Sequence, residues 1–405
     1  MAAVSFVLNF EEMRVLLMSL GSRGDVEPFL ALGQELKDQG AQVAFCFPAQ
    51  FEALAHEVSP KFYPQDPSFL ELLESPEIRK IMGQVGSGFS RLRTVVGLVG
   101  KTKAIQERLI RDQARAVEAF TPDEVVFHIK CIFPVLYALR MNGKVRLLSP
   151  MPCLVHPTGV HPHIAFGKPR GPWWNRMTYR LAEMALIHQS ILGYGKSYLQ
   201  ERGWQLNGSE LHRFYQNQCR TEYAYEPALF PRPADWPAHA QVTRFRERQK
   251  PTQGRWPDGL DAFLDAHSRV VYVGFGSMVN ARPKQVALDV LSVCEEEGIG
   301  VVMNRSWGGL EPPEELPSHA FVVDDVPFEQ LFPRVQAAIH HGGSGTTHSA
   351  LRCGLPQAII PHIADQFFWS RQLVATGNGV EGFPIKKWSR DRFSRMVSQL
   401  VMTHI

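Results

Sequence analysis

The sequence predicts an α/β fold built from two βαβ domains that face each other across a cleft. Three observations predict it. Short apolar segments of strand length alternate with amphipathic helical stretches. The alternation runs once, lapses in a proline-rich stretch and restarts. Each run opens with a strand that ends in a glycine-containing loop.

The residues before Met13 are apolar but carry no basic start, and Glu11 and Glu12 end them before they could span a bilayer. Val15 to Met18 then reads as a strand and Gly21-Ser22-Arg23-Gly24-Asp25 as a loop. A helix follows with Phe29, Leu32, Gly33 and Leu36 on one face, closed by Gly40. A strand from Val43 to Phe47 completes the first βαβ unit. Further strands are expected at Val125 to Phe127 and Val145 to Leu148, while the glycine-bearing stretch 86–100 is left unassigned. The prolines between Pro227 and Pro257, with the charged run Arg244-Phe245-Arg246-Glu247-Arg248, have a connector's composition. The expected division is therefore 1–235, a linker at 236–258, and 259–405.

The second run begins with a strand from Val270 to Phe275, a loop at Gly276 to Met278, a helix from about Lys284 to Glu297 and a strand from Val301 to Asn304. It continues with a strand at Phe321 to Val323, a short helix at Phe328 to Phe332, a strand ending near Ile339, another at Gln357 to Ile360, and a helix starting near Gln366. Paired βαβ units also suit a dehydrogenase. The nearest dinucleotide fingerprint, Gly274 to Val279, lacks its third glycine and argues against one.

Composition narrows the partners. With 405 residues, 44% hydrophobic and 20% charged, the chain can bury large cores; a net charge of +3 without a long basic run does not favour nucleic acid. Six scattered cysteines without a CxxC pair suggest reduced thiols and a cytoplasmic setting. No apolar run has spanning length, so any membrane contact is expected to be peripheral. His156, His161 and His163 sit in a loop broken by Pro157 and Pro162 with no acidic or cysteine ligand completing a set, and no metal is expected there.

The most informative segment runs from Ile339 to His348. It reads as a strand end, a turn with Gly342, Gly343 and Gly345, and a helix start, an arrangement that aims free N–H groups and the positive end of a helix dipole at an anion. No lysine follows as a P-loop requires; the basic partner on offer is His341. His340, one residue earlier on the strand, is expected to face the other way and support the fold.

Several motifs together resemble the two-domain glycosyltransferases that use nucleotide-diphosphate sugars, especially sterol glucosyltransferases and bacterial enzymes acting on antibiotic aglycones. They are Gly21 to Pro28 with Ala31-Leu32-Gly33, Val271 to Met278, His340 to Thr347, Gly354-Leu355-Pro356, Pro361 to Trp369, Phe127-His128-Ile129-Lys130, and Gly171 to Leu181. The resemblance implies two Rossmann-like domains in the GT-B arrangement. It further implies an inverting transfer of a hexose, glucose from UDP being the expected donor, to a hydroxyl of an apolar acceptor such as a sterol or polyketide, with no cofactor and no metal.

Under that resemblance Asp25 is the base that takes the acceptor's proton, although aspartate at a helix start is also a good N-cap. His341, Gly342, Gly343, Ser344, Gly345 and Thr346 hold the donor diphosphate, with Arg23 and Ser277 near it. Trp307 and Val326 lie where base and ribose are held, with ordinary packing the alternative for Trp307; Asp365 and Gln366 meet the sugar hydroxyls, with a helix N-cap the alternative for Asp365; and His128 and Lys130 orient the acceptor or assist Asp25. The aromatic and arginine-bearing stretch from Gly171 suits an apolar acceptor, a membrane surface or plain packing. The resembling family continues through helices that return to the N-terminal domain; only about 26 residues follow Gly379, so the C-terminal domain is expected to be short. The competing expectation is a homologue that binds sugar nucleotide or lipid as a partner subunit without turnover.

Overall fold

The computed structural model describes residues 13–74, 88–248, 256–276, 278–305, 309–363 and 365–404. Two fully parallel sheets form its frame. The first holds β1 (Arg14–Met18), β2 (Gln42–Pro48), β3 (Phe62–Gln65), β4 (Glu124–Phe127), β5 (Val145–Ser149), β6 (Arg220–Ala224) and β7 (Ala240–Thr243), in the order β3-β2-β1-β4-β5-β6-β7. The second holds β8 (Val270–Gly274), β9 (Gly300–Asn304), β10 (Ala320–Val323), β11 (Ala337–His340), β12 (Gln357–Ile359) and β13 (Gly379–Val380), in the order β10-β9-β8-β11-β12-β13.

Both orders reverse direction after their first strand. The switch lies between β1 and β4 in one sheet, where Met18 pairs with Phe127, and between β8 and β11 in the other, where Gly274 pairs with His340. Loops leaving the carboxyl ends of such strand pairs diverge and open a crevice, which is where open α/β sheets bind ligands. The two motifs singled out above, Asp25 and His341, leave β1 and β11.

Each sheet is buried on both faces, which is why its central strands read as near-continuous apolar runs. Leu16, Met18 and Phe127 face the Gly88–Phe120 helix, whereas Val15, Leu17 and Val126 face the Arg23–Asp38 helix. That 33-residue helix includes the part of the glycine-bearing stretch left unassigned from sequence.

Three departures are informative. The Arg23–Asp38 helix starts two residues before Asp25, so the expected loop residue lies in its first turn. Strands β3, β6, β7 and β13 were not expected: β3, β7 and β13 lie at sheet edges, and β6 carries Arg220, Thr221 and Glu222 among its five residues. β7 lies within the segment expected as linker; it pairs on one side only, with β6, so the N-terminal sheet extends to Thr243. The last helix, Arg390–His404, packs through Phe393, Met396, Val397 and Leu400 into the core of its own domain.

A fifth core joins the two halves. Tyr223, Tyr225, Phe230 and Trp236 of the N-terminal half pack with Ile359, Phe368, Trp369 and Leu373 of the C-terminal half, Phe230 meeting Phe368 edge-on at 5.3 Å. The Gln366–Ala375 helix is thus shared between domains.

Candidate active site

Asp25 is held on every side. It occupies the third position of its helix, where the Ser22 backbone N–H (2.8 Å) and hydroxyl (3.2 Å) donate to Oδ2, while Lys130 Nζ donates to Oδ1 at 2.9 Å. His128 Nε2 lies 3.5 Å from the same Oδ1. Both partners follow β4 across the switch point, so the topology itself brings them to Asp25. Gly21 makes room for the cluster: its φ of +136° suits glycine alone, and a Cβ there would stand 2.1 Å from Oδ2 and 2.7 Å from Lys130 Nζ.

Burial alone would raise the Asp25 carboxyl, yet its charged neighbours outweigh burial and hold it below the ordinary 3.8. Burial, then Lys130, push His128 down to about 4, so its ring is neutral at pH 7. Lys130 is therefore the cation that keeps Asp25 ionised. The Lys130 backbone N–H approaches His128 Nδ1 at 3.4 Å, which leaves the ring proton on Nε2, facing the carboxylate.

The glycine turn is built the same way. His340 is fully buried, with Nε2 2.9 Å from Gln357 Oε1 and Nδ1 accepting the Gly342 N–H at 3.1 Å, so it braces the turn. Gly342 has φ +90°, and a Cβ there would meet Ile359 Cγ2 at 2.7 Å. The His341 ring lies against the turn: a Cβ on Gly343 would come within 2.5 Å of its Nε2, and one on Gly276 within 2.7 Å of its Cε1. Its ring is buried beside the Gly274 backbone. The Ser344–Arg352 helix then begins, and its Ser344 hydroxyl donates to the Pro150 carbonyl, just past β5 of the other domain, at 3.2 Å. Glycine turn and N-terminal domain thus meet directly.

Two expectations change. His341 was expected to bring positive charge, but burial, then His340 and His362, push it down to about 3; at neutral pH it acts as a polar neutral ring. Gln366 was expected at the sugar, yet it is buried, and its Oε1 accepts both the His362 N–H (2.7 Å) and the Ile363 N–H (3.0 Å). It shapes the loop beside Asp365. Asp365 makes no side-chain cap bond, so capping is not its task. Its carboxyl is pushed up to about 6 by burial, with the Asp25 charge adding, which places the two acids within each other's field.

Arg23 is exposed and pairs with Glu27 at 3.1 Å, and Val326 is packed in the core, leaving only its backbone for a ligand. Gly345 is exposed at the helix start, with Thr346 half-buried beside it. Ser277 and Trp307 lie outside the described residues. His156 contacts Tyr223 Oη at 2.9 Å, His161 lies 2.7 Å from the Pro162 carbonyl, and His163 caps a short turn through Ala165 N.

A cavity of about 150 Å³ opens beside the Asp25 cluster, lined by Phe69, Ile129, Ile132 and Ile191 together with the polar Gln106 and Lys130. Sequence reasoning missed Gln357, which holds His340 from the next strand. Its signal was a glutamine at the start of an otherwise apolar strand.

Comparison with known proteins fits this geometry. Residues 15–121 match the glycosyltransferase family 28 N-terminal domain, and residues 287–403 the C-terminal domain of the erythromycin biosynthesis protein CIII-like family. A sterol 3-beta-glucosyltransferase of Arabidopsis thaliana is 27% identical over 98% of this chain and 64% of its own length. One from Pichia angusta is 29% identical over 92% of this chain and 30% of its own length. The chain thus spans less than two thirds of these relatives. Among solved structures, the glycosyltransferase of kitacinnamycin superposes with a TM-score of 0.68 at 17% identity, covering 96% of this chain and 90% of that one. The calicheamicin glycosyltransferase CalG4 superposes at 0.64 and 16%, with 96% and 90% covered. With a family model matched in each half and these superpositions along nearly the whole chain, the chain has the two-domain GT-B fold of these glycosyltransferases.

Proposed function

We propose that the chain transfers a hexose, glucose from UDP-glucose, to a hydroxyl of a lipophilic acceptor, inverting the anomeric carbon. The observation that carries this reading is the pair of switch points: one presents an ionised carboxylate, the other a glycine turn at a helix start, and Ser344 with Pro150 brings the two sides together. The sterol glucosyltransferase relatives supply the acceptor class.

Asp25 receives the acceptor's proton as that oxygen bonds to the anomeric carbon; the bond from that carbon to the diphosphate breaks, and its electron pair leaves with the nucleotide diphosphate. An alcohol is a far weaker acid than a carboxylic acid, so transfer occurs only as the forming bond makes the oxygen positive. A depressed Asp25 pKa keeps the base ionised until then. The free N–H groups of Ser344, Gly345 and Thr346 and the helix dipole stabilise the departing diphosphate, and a neutral His341 adds a polar contact. No step calls on a metal, so a chelator is expected to leave turnover unchanged.

Incubation with radiolabelled UDP-glucose and a panel of sterols, polyketides and phenolics tests the reading. Turnover is expected, falling by about 10²–10⁴-fold in Asp25→Asn with UDP-glucose binding retained. Donor binding with no transfer to any acceptor would support the partner-subunit alternative instead.

A further inference from the structure

Residues 159–182 contribute to neither switch point, yet they form an unusual surface. They include Lys168, Arg170, Arg176 and Arg180 and no aspartate or glutamate. On the same stretch Trp173 is 75% exposed, Val160 60% and Phe166 36%. Single exposed apolar residues are ordinary; three on one segment, one of them a tryptophan, are not.

The segment is held in shape. Asn175, buried in the Pro172–Ala185 helix, donates from Nδ2 to the Gly159 carbonyl at 2.8 Å and accepts the Arg170 N–H at 3.2 Å. The His163 N–H donates to Thr178 Oγ1 at 2.8 Å. The loop bearing Val160 and Phe166 is thereby stitched to the helix bearing Trp173. Arg371 Nη2 fastens the far end, donating to the Gly167 carbonyl at 2.9 Å from the helix that begins beside Asp365. Arg176 is paired with Asp235 at 2.8 Å. Lys168, Arg170 and Arg180 pair with no carboxylate among the described residues, and Arg170 lies over the Trp174 ring at 5.5 Å.

We propose that this face docks on an anionic phospholipid bilayer. Trp173, Phe166 and Val160 enter the headgroup boundary, and Lys168, Arg170 and Arg180 meet lipid phosphates. Charge complementarity selects this occupant: Lys168, Arg170 and Arg180, paired with no carboxylate among the described residues, outnumber the one acid held there by Arg176 and answer a uniformly negative surface, and an exposed tryptophan beside them suits the interface between headgroup and acyl chain. No described helix is long and apolar enough to cross a membrane, so the contact is one of surface. The purpose rests on the proposed function, since docking here would set the cleft beside a reservoir of lipophilic acceptor. The binding itself does not depend on that reading.

Co-sedimentation of the purified chain with phosphatidylcholine vesicles, with and without phosphatidylglycerol, tests it. Partitioning is expected to be at least about tenfold stronger on anionic vesicles and to weaken with added salt. Lys168→Glu with Arg170→Glu should abolish it, and Trp173→Ser with Phe166→Ser should lower it about tenfold. Lys168 and Arg170 are exposed, so in the charge reversals melting temperature and UDP-glucose binding should be unchanged. Absence of sedimentation with anionic vesicles, or equal sedimentation of the variants, would overturn the proposal. So would concentration-dependent self-association abolished by the charge reversals without vesicle binding, which would mark a protein interface. A chain that binds vesicles but transfers no sugar keeps this inference and loses the proposed function; one that glycosylates soluble acceptors yet ignores vesicles does the reverse.

Discussion

At Gly21 the conformational need and the packing need coincide, and the position is therefore a sharp test of the Asp25 cluster. A methyl group there must adopt φ +136° and would press on both Asp25 and Lys130. Gly21→Ala is expected to lower transfer by at least about tenfold, read as a fall in kcat with donor affinity unchanged; wild-type kinetics would remove the cluster from the reaction. Buried histidines set the acid limit of the fold. His340 is pushed down to about 4 and His341 to about 3, whereas both titrate near 6.5 once unfolded. Between pH 6.5 and about 4 the unfolded chain binds protons that the native rings refuse, so each costs up to about 1.4 kcal/mol of stability per pH unit of acidification. The contribution is complete above pH 6.5 and lost through that window. Asp365 opposes it, since a carboxyl raised to about 6 costs stability above that pH and the cost is relieved as pH falls from 6 to 3.8, but it is one group against several. Melting temperature should fall from pH 7 to pH 5, with a shallower slope in His340→Asn; a flat profile would refute this. Asp25 and His341 were legible because their loops announce themselves. The charge on His341 was not, because it depends first on burial, which only the folded chain sets, and then on His340 and on His362, 21 positions away in the chain.

The segment 244–248 looks like a mere connector in sequence, and its physics emerges only as an extended element between two bodies. Side chains of an extended chain alternate in direction, and here they alternate between domains. Arg246 binds Glu222 (2.8 Å) and Glu35, and Arg248 binds Glu27 (2.9 Å) and Glu57 (2.7 Å), all on the N-terminal side. Phe245 stacks on His348 at 4.4 Å, and Glu247 accepts from the Ser349 hydroxyl (3.1 Å) and pairs with Arg352, on the C-terminal side. Arg248 and Arg246 are largely buried, so their pairs are less screened by salt than exposed ones. Phe245→Ala with Glu247→Ala should release the C-terminal side alone, giving faster proteolysis between residues 244 and 258 and a larger radius of gyration by solution scattering. Unchanged values would show that the domains need no such clamp. Among strands, the central ones were legible as apolar runs; β7 was not, because four residues paired on one edge, Ala240 to Thr243, carry too little apolar signal beside the prolines at 233 and 237.

Two domains with the same strand order read from sequence as a repeat, but whether they act as one body depends on surfaces that no local pattern reveals. Phe367, Phe368 and Trp369 were legible only as part of a donor-side motif. In the folded molecule Phe368 and Trp369 are buried against Phe230, His161 and Tyr225 of the other domain, while Asp365 at the start of the same helix lies within the field of the Asp25 charge. One helix therefore carries both a cleft acid and the main apolar joint, so a change in domain angle must move the acid with it. Trp369 is fully buried, with Tyr225 at 6.1 Å and His348 at 4.8 Å between ring centroids. Removing it should cost about 3–5 kcal/mol, and the loss falls on the joint rather than on either sheet. Calorimetry of Trp369→Ala is accordingly expected to split one cooperative transition into two, the sheets unfolding separately, with donor binding surviving on the C-terminal domain while transfer drops. A single transition merely shifted downward, with transfer and donor binding falling together, would mean that Trp369 belongs to the C-terminal core and that the domains are joined elsewhere.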